Sequence, residues 1–281
     1  MQAYPNSGSP DANRPEDRLP EDVTYLRTKI SNVVLIGMPG SGSWVLVDTG
    51  MPGSASKIMK EARERFGSEK PLAILLTHGH FDHIGSIQDL LELFPDVDVY
   101  AHEFEIPFLT GAADYPPGDP TVGGGLMAAS APLYPNKGID LGGRVKPLPA
   151  DGGVPFLPDW RWLHTPGHSE GHVSLFRSAD GTLVAGDAFI TVKQESALAV
   201  LMQRREIHGP PTYFTPNWEA ARTSVARLAA LRPAAAVTGH GEPMAGRELT
   251  EGLELLSSRF DELAVPASGR YVDSAHIDPD A

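Results

Sequence analysis

The chain has 281 residues, 41% of them hydrophobic, which is enough for one large domain with a well-buried core. Its formal charge of -13 leaves no basic stripe to follow a phosphate backbone, which argues against nucleic acid as a partner and for a small-molecule substrate. There is no cysteine, so disulfides, thiolate metal ligands and cysteine nucleophiles are excluded.

Residues 1–20 are polar, Pro-rich and acidic, without the basic start and apolar stretch of an export signal. A cytoplasmic protein with a disordered tail over 1–22 is therefore expected. No run of 18 apolar residues occurs, so no membrane span is expected either. Apolar runs at 33–36, 44–47 and 73–76, bounded by Gly, Pro and Asn, predict strands. Between the second and third, Ile58, Met59, Ala62 and Phe66 recur at helical spacing behind a Ser54 cap, predicting a helix over 54–66. After residue 83, Ile84, Ile87, Leu90, Leu91 and Phe94 repeat that period until Pro95 stops it.

A second set of strands follows at 97–101, 161–164, 172–176 and 183–185. Then come a helix over 216–231, capped by Thr215 and ended by Arg232-Pro233, and a last strand at 234–238. Strands and helices, then strands and helices again, with polar clusters at strand ends, fit an α/β fold. Its architecture is a four-layer α/β/β/α sandwich, two sheets face to face with helices outside, spanning 23–265. Residues 104–159 are dense in Gly and Pro and break the pattern, predicting a lid-like insertion or pocket wall, a contact in a homo-oligomer, or a plain surface insertion. Residues 266–281 form a C-terminal tail or a strap over the surface.

Directly after the third apolar run, His78-Gly79-His80-Phe81-Asp82-His83 packs three imidazoles and a carboxylate into six positions. Neutral imidazole and carboxylate suit Zn, Fe or Mn, so this strand-to-helix turn reads as a metal site. Four such groups do not share one ion comfortably. His78 and His80 leave the strand on one side while Asp82 and His83 fall on the next turn, which points to two ions. Three further polar residues follow strands in Gly-rich turns: His168 in Pro-Gly-His, Asp187 in Gly-Asp and His240 in Gly-His-Gly. Of the other histidines, His172 begins a strand and is expected to be buried and hydrogen-bonded. His102 is expected to support the metal ligands from behind or to be structural, and His208 to lie near the pocket rather than on a metal.

These motifs, with Val47-Asp48-Thr49-Gly50 ahead of them, resemble the metallo-β-lactamase superfamily over about residues 23–263. The resemblance implies that His78, His80 and His168 hold one divalent ion, and Asp82, His83 and His240 a second, with Asp187 bridging. Zinc is implied first, iron or manganese next. It also implies that Asp48 supports the metal loop from behind, that a hydroxide shared by the ions is the nucleophile, and that Asp82 orients it or passes a proton to the leaving group.

Within that superfamily, an aspartate at 187 and no export signal argue against a secreted lactamase. Lactonases resemble the pattern more closely, but they carry a tyrosine where this chain has Ile190, a place that Tyr213 could fill in the substrate pocket. Glyoxalase II shares the ligand set, without a match here for its glutathione-binding basic residues. The tract 191–196 with 209–213 resembles a poorly characterised bacterial branch of metallo-hydrolases. The reading is a dinuclear hydrolase of an ester, thioester or lactone. The alternatives are a phosphodiesterase or nuclease, a mononuclear iron sulfur dioxygenase, and a non-catalytic metal-stabilised scaffold.

Overall fold

The structure, a computed structural model, describes residues 19–123 and 125–272. Most of the expected N-terminal tail, residues 1–18, and residues 273–281 of the C-terminal one lie outside the described residues.

The first half contains β1 (Val23–Thr28), β2 (Ser31–Ile36), β3 (Val45–Val47), α1 (Ala55–Phe66), β4 (Ala73–Leu75), α2 (Phe81–Ile84), α3 (Ile87–Leu93) and β5 (Asp98–Ala101). Then come α4 (Ile106–Leu109), α5 (Leu126–Ala129), β6 (Val145–Pro147), β7 (Gly153–Val154) and β8 (Leu157–His164). The second half continues with β9 (Val173–Arg177), β10 (Thr182–Gly186), α6 (Ala197–Met202), α7 (Trp218–Ala230), β11 (Ala235–Thr238), β12 (Met244–Ala245), α8 (Gly246–Ser258) and α9 (Phe260–Leu263). Strands β1 to β6 form one sheet in sequential order, and β12 to β7 form the other.

Three apolar clusters account for the layering. β2 is buried along its whole length, so alternate residues feed two cores. Val33 and Leu35 join Ile58, Ala62 and Phe66 of α1 and Leu90 of α3 on the outer face. Val34 and Ile36 join Val173, Leu175, Val184 and Val237 between the sheets. On the far side, Leu183 and Ala236 meet Val225 and Leu228 of α7 and Leu249 and Leu253 of α8. At about 1.5–3 kcal/mol for each large apolar side chain buried, these clusters supply the main folding drive. The order is helix, sheet, sheet, helix.

Several local readings need correction. β1 and α8 had no prediction. The apolar period after residue 83 is split into α2 and α3 at Gly85-Ser86, where Gly85 packs against Pro52 too closely for a side chain. α7 begins at Trp218 with Asn217 as cap, its side chain accepting from the Ala220 amide at 3.0 Å. Thr215, the expected cap, instead donates its hydroxyl to Pro211 O at 2.8 Å. Ser54 stands at the head of α1 but makes no side-chain cap bond. The 104–159 stretch is no single loop, since it holds α4, α5, β6, β7 and the start of β8.

Candidate metal centre

The topology brings the polar turns to one edge. β3, β4 and β5 run parallel, so Asp48 and the His78–His83 turn follow the carboxyl ends of neighbouring strands. β10 and β11 run parallel in the other sheet and deliver Asp187 and His240 in the same way. His168 sits in the connection between β8 and β9. Backbone bonds from Val173 N to Thr77 O at 2.9 Å and from Asn32 N to Gly239 O at 2.7 Å stitch the sheets together beside the site.

All seven candidate ligands are buried. Nε2 of His168 lies 2.9 Å from Nδ1 of His80 and 3.2 Å from Nε2 of His78, so three ring nitrogens converge. Burial, followed by the neighbouring histidines, pushes His78 and His168 well below the usual range, and burial with His83 lowers His80 to about 3. Three neutral imidazoles facing one another offer lone pairs with few protons between them, the donor set of a divalent metal.

The second group carries carboxylates. Asp187 Oδ2 is 3.1 Å from His240 Nε2, 3.6 Å from His83 Nε2 and 3.3 Å from His168 Nε2, placing one oxygen within reach of both groups. Asp82 Oδ2 lies 3.5 Å from His240 Nε2 and 4.0 Å from His83 Nε2. Although burial opposes it, the nearby carboxylates raise His83 well above its ordinary value and raise His240 as well. Burial would raise Asp187, but His240 and His83 hold it well below the carboxylate range. This half demands positive charge. Buried Nε2 of His83 and Oδ1 of Asp187 have no hydrogen-bond partner, which fits residues built to face a cation. Three groups, His78/His80/His168, His78/His83/Asp187 and Asp82/His83/His240, each bring one ligand atom per residue within 4.8 Å of one another.

Backbone and side-chain acceptors behind the ligands select their tautomers. His83 Nδ1 donates to Asp48 Oδ2 at 2.9 Å and His240 Nδ1 donates to Ile30 O at 2.7 Å, so each Nδ1 is taken and Nε2, once its proton is displaced, is the nitrogen offered to a metal. Asp48 also accepts from Thr77 N and Thr77 Oγ1, both at 2.8 Å. Its own backbone has φ 60°, a left-handed conformation that aspartate tolerates better than most residues. Gly239 is required for a different reason, because a Cβ there would fall on Asp187 Oδ1. His172 donates from Nδ1 to Thr165, while its Nε2 accepts the Asp187 amide at 2.8 Å.

Glu105 had no sequence signal of its own. Fully buried, its carboxylate accepts from Gly79 N (3.0 Å), Ser169 Oγ (2.5 Å), Gly171 N (3.0 Å) and the Tyr115 hydroxyl. One side chain thus ties the turn between His78 and His80 to the loop after His168. Burial raises its pKa and these donors oppose the rise.

A cleft of about 10 Å³, room for a water, opens on the centre between Asp82, His168, Asp187, His240, Tyr213 and Phe214. Tyr213 lines this cleft, and burial, then the Asp82 carboxylate, pushes its phenol well above 10. Ile190 is buried, pairs in an isolated bridge with His208, and lines neither cavity beside the metal-ligand cluster. Its apolar side chain gains more from the core than from the cleft. His208 itself lies 3.5 Å from Glu206. His102 stacks on His164 at 4.2 Å, away from the ligands.

Residues 26–240 match the profile of the metallo-beta-lactamase superfamily. The chain is 50% identical over 240 residues to the probable metallo-hydrolase YflN of Bacillus subtilis, covering 85% of this chain and 90% of that one. It is 30% identical over 197 residues to the probable metallo-hydrolase YybB of the same organism, over 70% of this chain and 75% of the relative. Among solved structures, the B3 metallo-beta-lactamase BLEG-1 superposes with a TM-score of 0.60 at 22% identity, over 84% of this chain and 99% of the other. TTHA1623 in a di-iron-bound form superposes at 0.52 with 26% identity, over 84% and 96%. Fold, ordered motifs and relatives agree: the chain belongs to the metallo-beta-lactamase superfamily.

Proposed function

We propose that the protein is a dinuclear metallo-hydrolase acting on an ester, thioester or lactone. The observation that carries this reading is the position of Asp187 Oδ2, within 3.1–3.6 Å of ring nitrogens from both ligand groups. Two divalent ions bound there would supply Lewis acidity to a carbonyl and lower the pKa of a shared water. The chain's own groups do the rest. Asp48 and Ile30 O occupy Nδ1 of His83 and His240, so that Nε2 is the nitrogen each would give to a metal in exchange for its proton. Asp82 faces the cleft, where its carboxylate can hold the proton that the leaving group needs. Tyr213, kept protonated by its surroundings, offers a phenol O–H to a developing oxyanion.

Zinc is our first assignment. Iron is the second, because the similar TTHA1623 structure is di-iron-bound. A phosphodiesterase is less well supported, since among the described residues no Lys or Arg lines either cavity at the centre. A short match to the hydroxyacylglutathione hydrolase of Cronobacter sakazakii, 38% identical over 72 residues, favours thioester chemistry in the same class. Purified protein loaded with zinc or iron, assayed on thioester, lactone, aryl-ester and phosphodiester panels beside His80→Ala, tests the reading. Turnover of acyl substrates that His80→Ala loses supports it, and equal rates in the two proteins refute it.

A further inference from the structure

Next to the cleft lies a second cavity of about 300 Å³, at the lower end of the ~300–1,000 Å³ typical of small-molecule sites. The two share His80, His168 and Phe214 as walls, so the larger one adjoins the same ligand groups. Aromatic rings shape it. Tyr115 stacks on Phe108 at 4.1 Å and meets the His80 imidazole edge-on at 4.6 Å, while Phe214 lies 5.0 Å from that imidazole. Tyr271, from the C-terminal segment, completes the wall. That segment is tied down across the 104–159 insertion, with the Tyr271 hydroxyl donating to Pro117 O at 2.6 Å and Ser268 Oγ to Thr121 O at 3.3 Å. Among the described residues no Lys or Arg lines the cavity, and Glu170, exposed to solvent, is the one carboxylate that does. An anionic group would find no cation among the described lining residues and would meet the like charge of Glu170.

We propose that this cavity is the acyl subsite, taking an uncharged apolar acyl limb, with Phe108 and Tyr271 setting the length accepted. This rests on the hydrolase reading above. Asp82 lines the cleft but not the cavity, so a leaving group that receives its proton from Asp82 sits in the cleft, which leaves the adjoining cavity to the acyl limb.

The test uses full-length zinc-loaded protein and p-nitrophenyl acetate, butyrate, hexanoate and octanoate, with the anionic p-nitrophenyl succinate for comparison. Burial of each methylene is worth about fourfold, so kcat/KM should rise at least tenfold from acetate to hexanoate, and the succinyl ester should fall below the butyrate. Phe108→Trp, which fills the cavity, should lower the octanoate-to-acetate ratio at least tenfold, and Tyr271→Ala should move the optimum to a longer chain. Calorimetry with octanamide supplies a readout apart from turnover: binding should weaken at least tenfold in Phe108→Trp with Tm retained. A flat acyl series, or ratios unchanged in both variants, overturns the subsite while leaving the hydrolase intact. Octanamide binding that Phe108→Trp weakens, without turnover of any ester, upholds the cavity and sinks the hydrolase reading. Absence of octanamide binding overturns the subsite.

Discussion

Asp48→Asn separates a hydrogen-bond role from a packing role, because the two side chains match in size and asparagine tolerates the φ of 60° at this position. The aspartate accepts three hydrogen bonds and donates none: His83 Nδ1 and Thr77 Oγ1 at one oxygen, Thr77 N at the other. In asparagine one of those oxygens becomes an NH₂ that faces a donor whichever way the amide turns. With the amide nitrogen toward His83, the imidazole must move its proton to Nε2, the atom aimed at the metal. Loss of such an outer hydrogen bond costs about 10- to 100-fold in metal affinity, or about 1.4–2.7 kcal/mol. The loss should fall on the group made by Asp82, His83 and His240, leaving the His78/His80/His168 group less affected. Zinc titration by calorimetry, with metal content by elemental analysis, reads both. Two ions bound with affinities within twofold of wild type would refute the tautomer argument. An equal loss at both sites with a collapsed Tm would show that Asp48 is only structural.

Gly239→Ala drives a Cβ onto Asp187 Oδ1 and to 2.7 Å from His83 Cε1, so metal affinity should drop at least tenfold and stability by about 1–3 kcal/mol; unchanged zinc content would contradict the geometry. Glu105→Gln leaves at least one donor of the clip facing an NH₂, and should cost about 2 kcal/mol in urea unfolding; a neutral result would mean that the clip is dispensable. His172 is held by burial at about 4, below its ordinary 6.5, so its contribution to stability is complete above pH 6.5 and is lost as pH falls toward 4. At about 1.4 kcal/mol per pH unit, wild type should lose about 3 kcal/mol across that range relative to His172→Gln, measured on metal-free protein. A pH-independent difference between the two would rule this out. Chelation should lower Tm by several degrees, since ions bound at 1,000 times their Kd add about 4 kcal/mol. An unchanged Tm would speak against bound metal.

Some of this protein is legible wherever the interacting residues are close in the chain. The six-residue turn from His78 to His83, the apolar period of α1 and the buried run of β2 each carry their own signal, because a turn, a helical face or a strand is decided by neighbours. The layered class follows from their alternation. Other features depend on partners far away in sequence. His168, Asp187 and His240 stand out in the sequence only as polar residues in Gly-rich turns, their assignment to an ion coming from likeness to a family, and it is the parallel pairing of β3 with β4 and β10 with β11 that carries the turns of His78, Asp187 and His240 to one edge. Nothing near Glu105 announces that Gly79 and Gly171 will point their amides at it. Asn217 displaces Thr215 as the α7 cap because Pro211 O claims the threonine hydroxyl. Ile190 turns inward because the bridge to His208 fixes its strand-like segment against the core. By itself the sequence determined which chemistry the chain can assemble, since ligand type and local spacing are written in consecutive residues. Which atoms face one another, and what surrounds them, was decided by the packing of two sheets that meet only in the folded chain.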